Sequence, residues 1–381
     1  MGTFTPSKKK PTYTHMDNNY CIILAGGIGS RFWPYSRKRR PKQFLDFFGT
    51  GESLLQQTYR RYAPVFAKGH IYVVTNTRYE TFVREQLPDL PPESILLEPI
   101  QRNTAAAIAY AAKHIHAVNP DAVLAIAPSD HLVTKEQIFA ERIRQALELA
   151  ATKETIVTLG IKPTYPEVGY GYIQATAQDG SDDLREGHFY PVKTFTEKPN
   201  MHMAKVLVDS GEFFWNSGIF IGQCSHFLHE LEVNMPELTE RLFQDNRVWN
   251  TDREADYISE RYPYCPSISF DYAVMEKSQN AVMLLCDIGW ADVGSWNTIY
   301  TLTEHDTDRN ATIGATPTIY NDSSGNLVVL DKPDGLVVLQ GVNDLIVVQK
   351  DDVLVICRKS EGEKLKQVIP EAMNIDEKFV D

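Results

Sequence analysis

The sequence predicts a doubly wound α/β domain followed by a small β-rich domain. Three observations carry this. Strand and helix patterns alternate from residue 20 to about residue 150. A glycine-rich turn closes the first apolar strand. After about Asn310 the composition shifts to short β-branched runs at near-regular spacing. Strands that alternate with helices build parallel, doubly wound sheets, whose ligands lie outside the carboxyl ends of the strands.

The elements follow in order. Tyr20-Cys21-Ile22-Ile23-Leu24 reads as the first buried strand. Ile71-Tyr72-Val73-Val74 and Ile95-Leu96-Leu97 are the next two, separated by helical residues 78–87 that Pro88 stops. Residues 104–118 are alanine-rich and helical by propensity, with Asn103 and Thr104 as N-cap side chains. Val123-Leu124-Ala125-Ile126 is a strand ending at Pro128-Ser129-Asp130. Residues 136–151 form an amphipathic helix, and 156–159 a strand. The order then loosens. Residues 170–173 and 192–196 are strand-like, 203–209 a short helix, 215–221 apolar but interrupted by glycine, and 227–260 a charged helical insertion. Runs beginning at Leu327, Leu336, Leu345 and Val353, each preceded by turn residues, read as stacked rungs of a separate β domain whose favoured role is an assembly-supporting cap. A short helix over 361–368 follows. The expected divisions are 1–19, 20–305 and 306–381.

The totals limit the function classes. The chain has 381 residues, 43% hydrophobic and 23% charged, enough for a large domain and a small one. No apolar run approaches a membrane span. Residues 1–19 lack the apolar core of a secretory signal and read as a disordered leader. The net charge of −12 argues against nucleic acid as a partner. The five cysteines, Cys21, Cys224, Cys265, Cys286 and Cys357, show no CxxC spacing and read as small core residues of a cytoplasmic protein.

Against this acidic background, LAGGIGSRFWPYSRKRRPKQFL stands out. Ala25, Gly26, Gly27 and Gly29 leave the backbone open, and six basic residues with no acidic one run from Arg31 to Lys42. Backbone N–H groups without a Cβ can approach a polyphosphate, and Arg and Lys can neutralise it. The spacing excludes two common fingerprints. No GK[ST] follows, and the sixth residue from Gly27 is Phe32 where a dinucleotide loop needs glycine. Taken singly, Lys42 is either a surface lysine or a phosphate ligand. Glu98 is either an exposed residue before Pro99 or an acceptor for N1–H and N2–H of guanine.

LAGGIGSR with the later PKQFL resembles the signature of sugar-1-phosphate nucleotidyltransferases. With the downstream motifs it is similar to the bacterial type of mannose-1-phosphate guanylyltransferase. Those motifs are Glu98-Pro99, Arg102-Asn103-Thr104-Ala105, Ala127-Pro128-Ser129-Asp130-His131, Gly169-Tyr170-Gly171-Tyr172-Ile173, Phe195-Thr196-Glu197-Lys198-Pro199, Trp215-Asn216-Ser217-Gly218, Ser269-Phe270-Asp271-Tyr272 and Trp290-Ala291-Asp292-Val293-Gly294. The resemblance implies a Rossmann-like doubly wound mixed sheet of the nucleotidyltransferase (GT-A-like) type with a small C-terminal β-helix-like domain. It implies GMP transfer from GTP to mannose 1-phosphate, with Mg²⁺, in a cytoplasmic homodimer.

Arg31 and Lys42 would be the catalytic cations on the leaving phosphates. Leu24, Ala25, Gly26, Gly27, Gly29, Ser30, Glu98, Pro99, Asn103, Thr104 and Ser129 would bind the nucleotide. Gly169, Tyr170, Glu197, Lys198, Asn216 and Asp271 would hold the sugar phosphate, and Asp130 and Asp292 the metal. His131 would be structural, since Mg²⁺ prefers oxygen ligands. Arg37, Lys38, Arg39 and Arg40 would add a supporting positive field. Phe32-Trp33 and Ala105-Ala106-Ala107 depart from the usual RLxPLSR and RNTAPA. With no cupin-type domain, isomerase activity is not expected. The alternatives are a guanylyltransferase for another hexose 1-phosphate and a catalytically silent nucleotide-sugar sensor.

Overall fold

The computed structural model describes residues 18–175, 184–330 and 332–381. Most of the expected leader, residues 1–17, lies outside the described residues. The first strand, β1 (Asn19–Leu24), begins within what was expected to be leader. There follow α1 (Leu54–Tyr62), β2 (Ile71–Asn76), α2 (Glu80–Gln86), β3 (Ile95–Glu98), α3 (Asn103–Val118), β4 (Val123–Pro128), β5 (His131–Val133), α4 (Glu136–Thr152) and β6 (Ile156–Ile161). Next come β7 (Gly171–Ala175), β8 (Phe189–Glu197), α5 (Met201–Ser210), β9 (Phe213–Gln223), α6 (Cys224–Asn234), α7 (Pro236–Leu242), α8 (Glu254–Arg261), β10 (Ala281–Leu285), β11 (Trp290–Asp292) and α9 (Trp296–Leu302).

The main sheet has nine strands in the order β3-β2-β1-β4-β9-β6-β10-β8-β7. Its first four strands are parallel, as alternation predicts. The next is not. β9 lies antiparallel between β4 and β6, so the sheet is mixed. The run read as apolar and glycine-interrupted is therefore a central strand of 11 residues. Both faces of the sheet are covered. On β1, Tyr20 and Ile22 pack toward α3 and α6, while Cys21 and Ile23 pack toward α1 and α4. Period-two alternation in a doubly buried strand leaves no polar face to read, which explains the continuous apolar run. The chain leaves β1 toward β2 on one side and returns at β4 on the other. The carboxyl ends of β1 and β4 thus flank a topological switch point, where a crevice opens.

The C-terminal part is a small coil of short strands: β12 (Ala311–Ile313), β13 (Thr318–Asn321), β14 (Leu327–Val329), β15 (Val337–Gln340), β16 (Leu345–Lys350) and β17 (Val353–Arg358). The four apolar runs fall on β14 to β17, while β12 and β13 carried too little apolar pattern to be read. Parallel pairing stacks the rungs, Ala311 on Leu327 and Leu327 on Ile346. Buried Asn326 locks them: its amide donates to Asn310 Oδ1 at 2.9 Å and its Oδ1 accepts from the Leu345 N–H at 2.9 Å. A 3₁₀ segment (Lys359–Gln367) and α10 (Ile369–Ile375) follow. This coil is not a detached unit. Its Leu327, Val329, Ile346 and Val348 share one apolar cluster with Phe32, Trp33, Phe47 and Trp296. The bulkier Phe32-Trp33 pair is thus the packing contact between the basic loop and the coil, with Phe32 edge-on to Trp296 at 5.2 Å.

Candidate active site

The crevice at the switch point is a cleft of about 620 Å³ lined by Leu24, Gly26, Gly27, Gly29, Ser30, Glu98, Asn103, Thr104, Asp130 and Asp271, among others. Two glycines are required by close approach. A Cβ on Gly26 would stand 2.8 Å from Glu98 Oε2. Gly29 has φ +68°, and a Cβ there would meet the Lys42 stem at 2.8 Å. The glycine loop thus presses on both the candidate base reader and the candidate phosphate ligand.

Not every expected nucleotide ligand faces the cleft. Ala25 is fully buried, and its backbone is already paired: its N–H donates to Val74 O at 2.8 Å, and its carbonyl accepts from Gln43 Nε2 at 2.8 Å and Thr75 Oγ1 at 2.9 Å. It supports the turn and offers a base nothing. The Ser129 backbone is likewise engaged, donating to Leu24 O and accepting from Thr58 Oγ1. Pro99 is half-buried and not among the lining residues. The expected N-cap also fails. Asn103 has φ +62° and its side chain accepts only from the adjacent Thr104 N–H, while Thr104 Oγ1 accepts from the Phe270 N–H at 2.8 Å. With no side-chain cap, the start of α3 opens on the cleft.

Glu98 ends β3 and is only 4% exposed, so the exposed reading is wrong. Its Oε1 accepts a hydrogen bond from the Tyr262 hydroxyl. Burial pushes the carboxyl up from 4.5 to about 7, with Tyr262 pulling the other way. Sequence reasoning missed Tyr262, which follows α8 just beyond the stretch taken as a charged insertion. Gln101 was also missed. It lines the cleft and donates to Gly26 O.

Beside the glycine loop, β11 pairs antiparallel with β5, placing Asp292 opposite His131. This brings Asp130 and Asp292 to one point. Lys42 lies there. Its ammonium is 2.8 Å from Asp130 Oδ2 and 3.7 Å from Asp292 Oδ1, and it donates to Val293 O. Burial alone would raise the Asp130 carboxyl, but Lys42 outweighs it and holds it below the usual range. Burial would lower the Lys42 ammonium, but Asp130 and Asp292 hold it above its ordinary value. Trp290 Nε1 donates to His131 Nδ1 at 3.2 Å. Indole nitrogen can only donate, so Nδ1 accepts and the neutral ring carries its proton on Nε2. That Nε2–H stands 3.8 Å from Asp292 Oδ1 and 4.0 Å from Asp130 Oδ1. Both distances are too long for a hydrogen bond, and this tautomer offers no Nε2 lone pair to a metal. Arg31 is half-exposed nearby, donating to Gly294 O at 3.3 Å, with Glu363 3.7 Å away.

On the far side, Asn216 on β9 donates to Asp271 Oδ1 at 2.9 Å and accepts from Thr158 Oγ1 at 2.8 Å. Glu197 ends β8 and is ion-paired with Lys198. Burial, then Asp271, raise Glu197 to about 7 against the pull of Lys198. The glycine beside these groups is Gly171, not the expected Gly169. A Cβ on Gly171 would stand 2.5 Å from Glu197 Oε2, whereas the Gly169 N–H is taken by Glu167 at 2.9 Å. Tyr170 is a packing residue, edge-on to Trp215 at 5.2 Å and close to Trp290 at 5.1 Å.

The basic run divides as sequence could not show. Arg37 is 4% exposed and adds nothing to a phosphate field. Its guanidinium donates to the carbonyls of Pro34, Lys350 and Lys378, each at 3.1 Å, tying the loop to the C-terminal coil. Arg39 pairs with Asp351 at the surface.

Comparison with known proteins agrees with this architecture. The family model described as "Nucleotidyl transferase" matches residues 20–309, and one described as "MannoseP isomerase/GMP-like beta-helix domain" matches residues 318–371. Over 296 residues the chain is 42% identical to the xanthan biosynthesis protein XanB of Xanthomonas campestris pv. campestris, covering 76% of this chain and 60% of that one. It is 38% identical over 298 residues to a mannose-1-phosphate guanylyltransferase of Sinorhizobium fredii, covering 77% and 56%. The chain thus spans 56–60% of the length of these relatives. A solved Thermus thermophilus structure titled "mannose-1-phosphate geranyltransferase" superposes with a TM-score of 0.82 at 29% identity, covering 93% of this chain and 99% of that one. The mixed sheet, the β-helix-like coil and a family match over residues 20–309 make this chain a member of the nucleotidyl transferase family.

Proposed function

We propose that this chain transfers GMP from GTP to α-D-mannose 1-phosphate, giving GDP-mannose and diphosphate. The observation that carries the reading is the cleft itself. It gathers the glycine loop, the buried Glu98 and the Asp130 end of the Lys42–Asp130–Asp292 constellation around one volume. A sugar-phosphate oxygen is ionised at neutral pH, so the attack needs no general base. It forms an O–Pα bond as the Pα–O–Pβ bond breaks and diphosphate leaves. What the protein must supply is alignment and positive charge. Loop N–H groups from Gly26 to Ser30 cradle the phosphates. Arg31 and Lys42 stabilise charge on the leaving group. Glu98 accepts from the guanine edge. Glu197 and Asn216 hold sugar hydroxyls, and Lys198 the sugar phosphate.

The Asp130–Asp292 pair fits Mg²⁺. The Lys42 ammonium already stands between the two carboxylates as a cation. Among the described residues no group of three or more His, Cys, Asp or Glu is arranged to hold a metal. Two carboxylates with phosphate and water completing the shell are what Mg²⁺ takes. When bound, the ion would neutralise and orient the reacting phosphates. We also propose a catalytic part over 20–305, a β-rich part over 306–381, and a cytoplasmic homodimer. The support is the resemblance and five cysteines that form no disulfide. Among the described residues no helix is long and apolar enough to cross a membrane.

The test is diphosphate release for each NTP against each hexose 1-phosphate. GTP with mannose 1-phosphate is expected to give the highest kcat/KM. A clear win for another pair, such as dTTP with glucose 1-phosphate, would overturn the assignment. Binding of both ligands without turnover would favour the sensor.

A further inference from the structure

Lys42 cannot serve both partners at once. Its ammonium lies 2.8 Å from Asp130 Oδ2, donates to Val293 O, and stands 3.7 Å from Asp292 Oδ1. The Lys42 side chain is 9% exposed, while Asp130 and Asp292 remain 28% and 24% exposed. The acidic pair is reachable from solvent, and its charge is already met from beneath. We infer that Lys42 is the resident cation of this carboxylate pair and exchanges it for nucleotide phosphate, so that divalent metal and nucleotide bind cooperatively. This rests on the reading of Asp130 and Asp292 as the metal pair.

The physical basis is competition for charge. Two partly buried carboxylates a few ångströms apart repel unless a cation stands between them. With the ammonium in place, a divalent ion arriving alone meets a like charge and two carboxylates already compensated. A polyphosphate changes both. Its oxygens give Lys42 new acceptors, and the vacated carboxylates become ligands. The stem is placed for this exchange. Lys42 Cβ, Cγ and Cδ run under Gly29, on the loop whose backbone lines the cleft. Phosphate seated on that loop would lie beside the Lys42 stem.

The experiment reads Mn²⁺ binding to the free protein by electron paramagnetic resonance, with no turnover involved. Wild type is expected to bind Mn²⁺ weakly, and a non-hydrolysable GTP analogue to tighten binding at least tenfold beyond the analogue's own metal affinity. Lys42→Met keeps the stem and removes the charge. It is expected to bind Mn²⁺ at least tenfold tighter than wild type without nucleotide, with a smaller gain on adding the analogue. Lys42→Arg, which keeps the charge, should stay weak and guards against an unfolded Met variant. If folded Lys42→Met binds Mn²⁺ no better than wild type, the exchange is wrong. Asp292→Asn separates the two readings. Loss of the nucleotide-dependent Mn²⁺ site in Asp292→Asn keeps the metal pair even where the exchange fails. Retention of that site removes the pair as metal ligands, and the exchange with it.

Discussion

Replacing Glu98 with Gln should make the protein more stable and a worse nucleotide binder, and both effects should depend on pH. Burial raises this carboxyl from 4.5 to about 7. The fold therefore prefers the protonated form. Stability from that form is complete below the unfolded value and is lost as pH rises through about 7. At ~1.4 kcal/mol per pH unit, the rise from 4.5 to about 7 is worth about 3.5 kcal/mol at most. Glutamine resembles the protonated acid and can still accept from Tyr262. Glu98→Gln should thus unfold like wild type near pH 4 and gain up to about 3.5 kcal/mol by pH 8.5 in urea titrations.

Binding runs in the opposite direction. A guanine edge that donates two N–H groups wants the carboxylate, so the ligand must drive off a proton wherever Glu98 carries one. If that proton is lost near pH 7, affinity should fall about tenfold from pH 8 to pH 6. GDP-mannose is the suitable ligand, because its diphosphate diester has no proton to lose in this range. Calorimetry in two buffers of different ionisation enthalpy counts the released proton directly. Glu197, also raised to about 7, could add a second step, but Glu98→Gln retains that step. The difference between the two proteins isolates Glu98. If wild type and Glu98→Gln show the same pH profile in both unfolding and GDP-mannose affinity from pH 6 to 8, the reasoning about this residue fails.

Three further outcomes are expected. Arg37→Met leaves the Pro34, Lys350 and Lys378 carbonyls without their donor, and should lower urea stability by about 2–4 kcal/mol and depress kcat/KM; Arg37→Lys, with one ammonium for three carbonyls, should recover only part, and unchanged stability would deny the clamp. Gly29→Ala adds a Cβ at φ +68° and 2.8 Å from the Lys42 stem, so kcat should fall at least about tenfold while the melting temperature drops little; normal turnover would show that the loop does not control Lys42. Tyr170→Phe should keep KM for the sugar phosphate within about twofold, because its ring serves packing against Trp215 and Trp290, whereas Tyr170→Ala should cost about 3 kcal/mol of stability. A large KM change in Tyr170→Phe would return the hydroxyl to the sugar site.

The parallel half of the sheet was legible because each doubly buried strand is an apolar run bounded by turn residues. β9 was not, since Gly218 and Gly222 interrupt it and a strand's direction is set by the connections around it. The meeting of Asp130 with Asp292 was legible only as motif order. No spacing announces that β11 pairs with β5 and brings together residues far apart in the chain. Glu98 was ambiguous for a similar reason. Its buried partner, Tyr262, lies 164 residues away in the chain, and no local pattern links the two. Gly169 and Gly171 differ by two residues, and only the Gly171 backbone lies against Glu197.

The basic run shows what a charge count leaves out. Arg31, Arg37, Arg39 and Lys42 look alike in sequence, yet each has a different setting in the fold. Lys42 lies beneath the loop, and two carboxylates keep it charged. Arg31 stays half-exposed at the rim, donating to Gly294 O and facing Glu363. Arg37 points away, and its planar fork satisfies three carbonyls from three segments, a geometry that one ammonium cannot match. Arg39 pairs at the surface, where such a contact contributes little. Of these, Arg37 makes the C-terminal coil part of the site without lending it a ligand. With Phe32 and Trp33 packed into the coil and Arg37 joined to its backbone, the loop has little freedom to relax when phosphate arrives. In the proposed transfer, a positive loop held that rigidly need not reorganise as charge develops on the leaving group, and preorganisation of this kind is where electrostatic catalysis gains most.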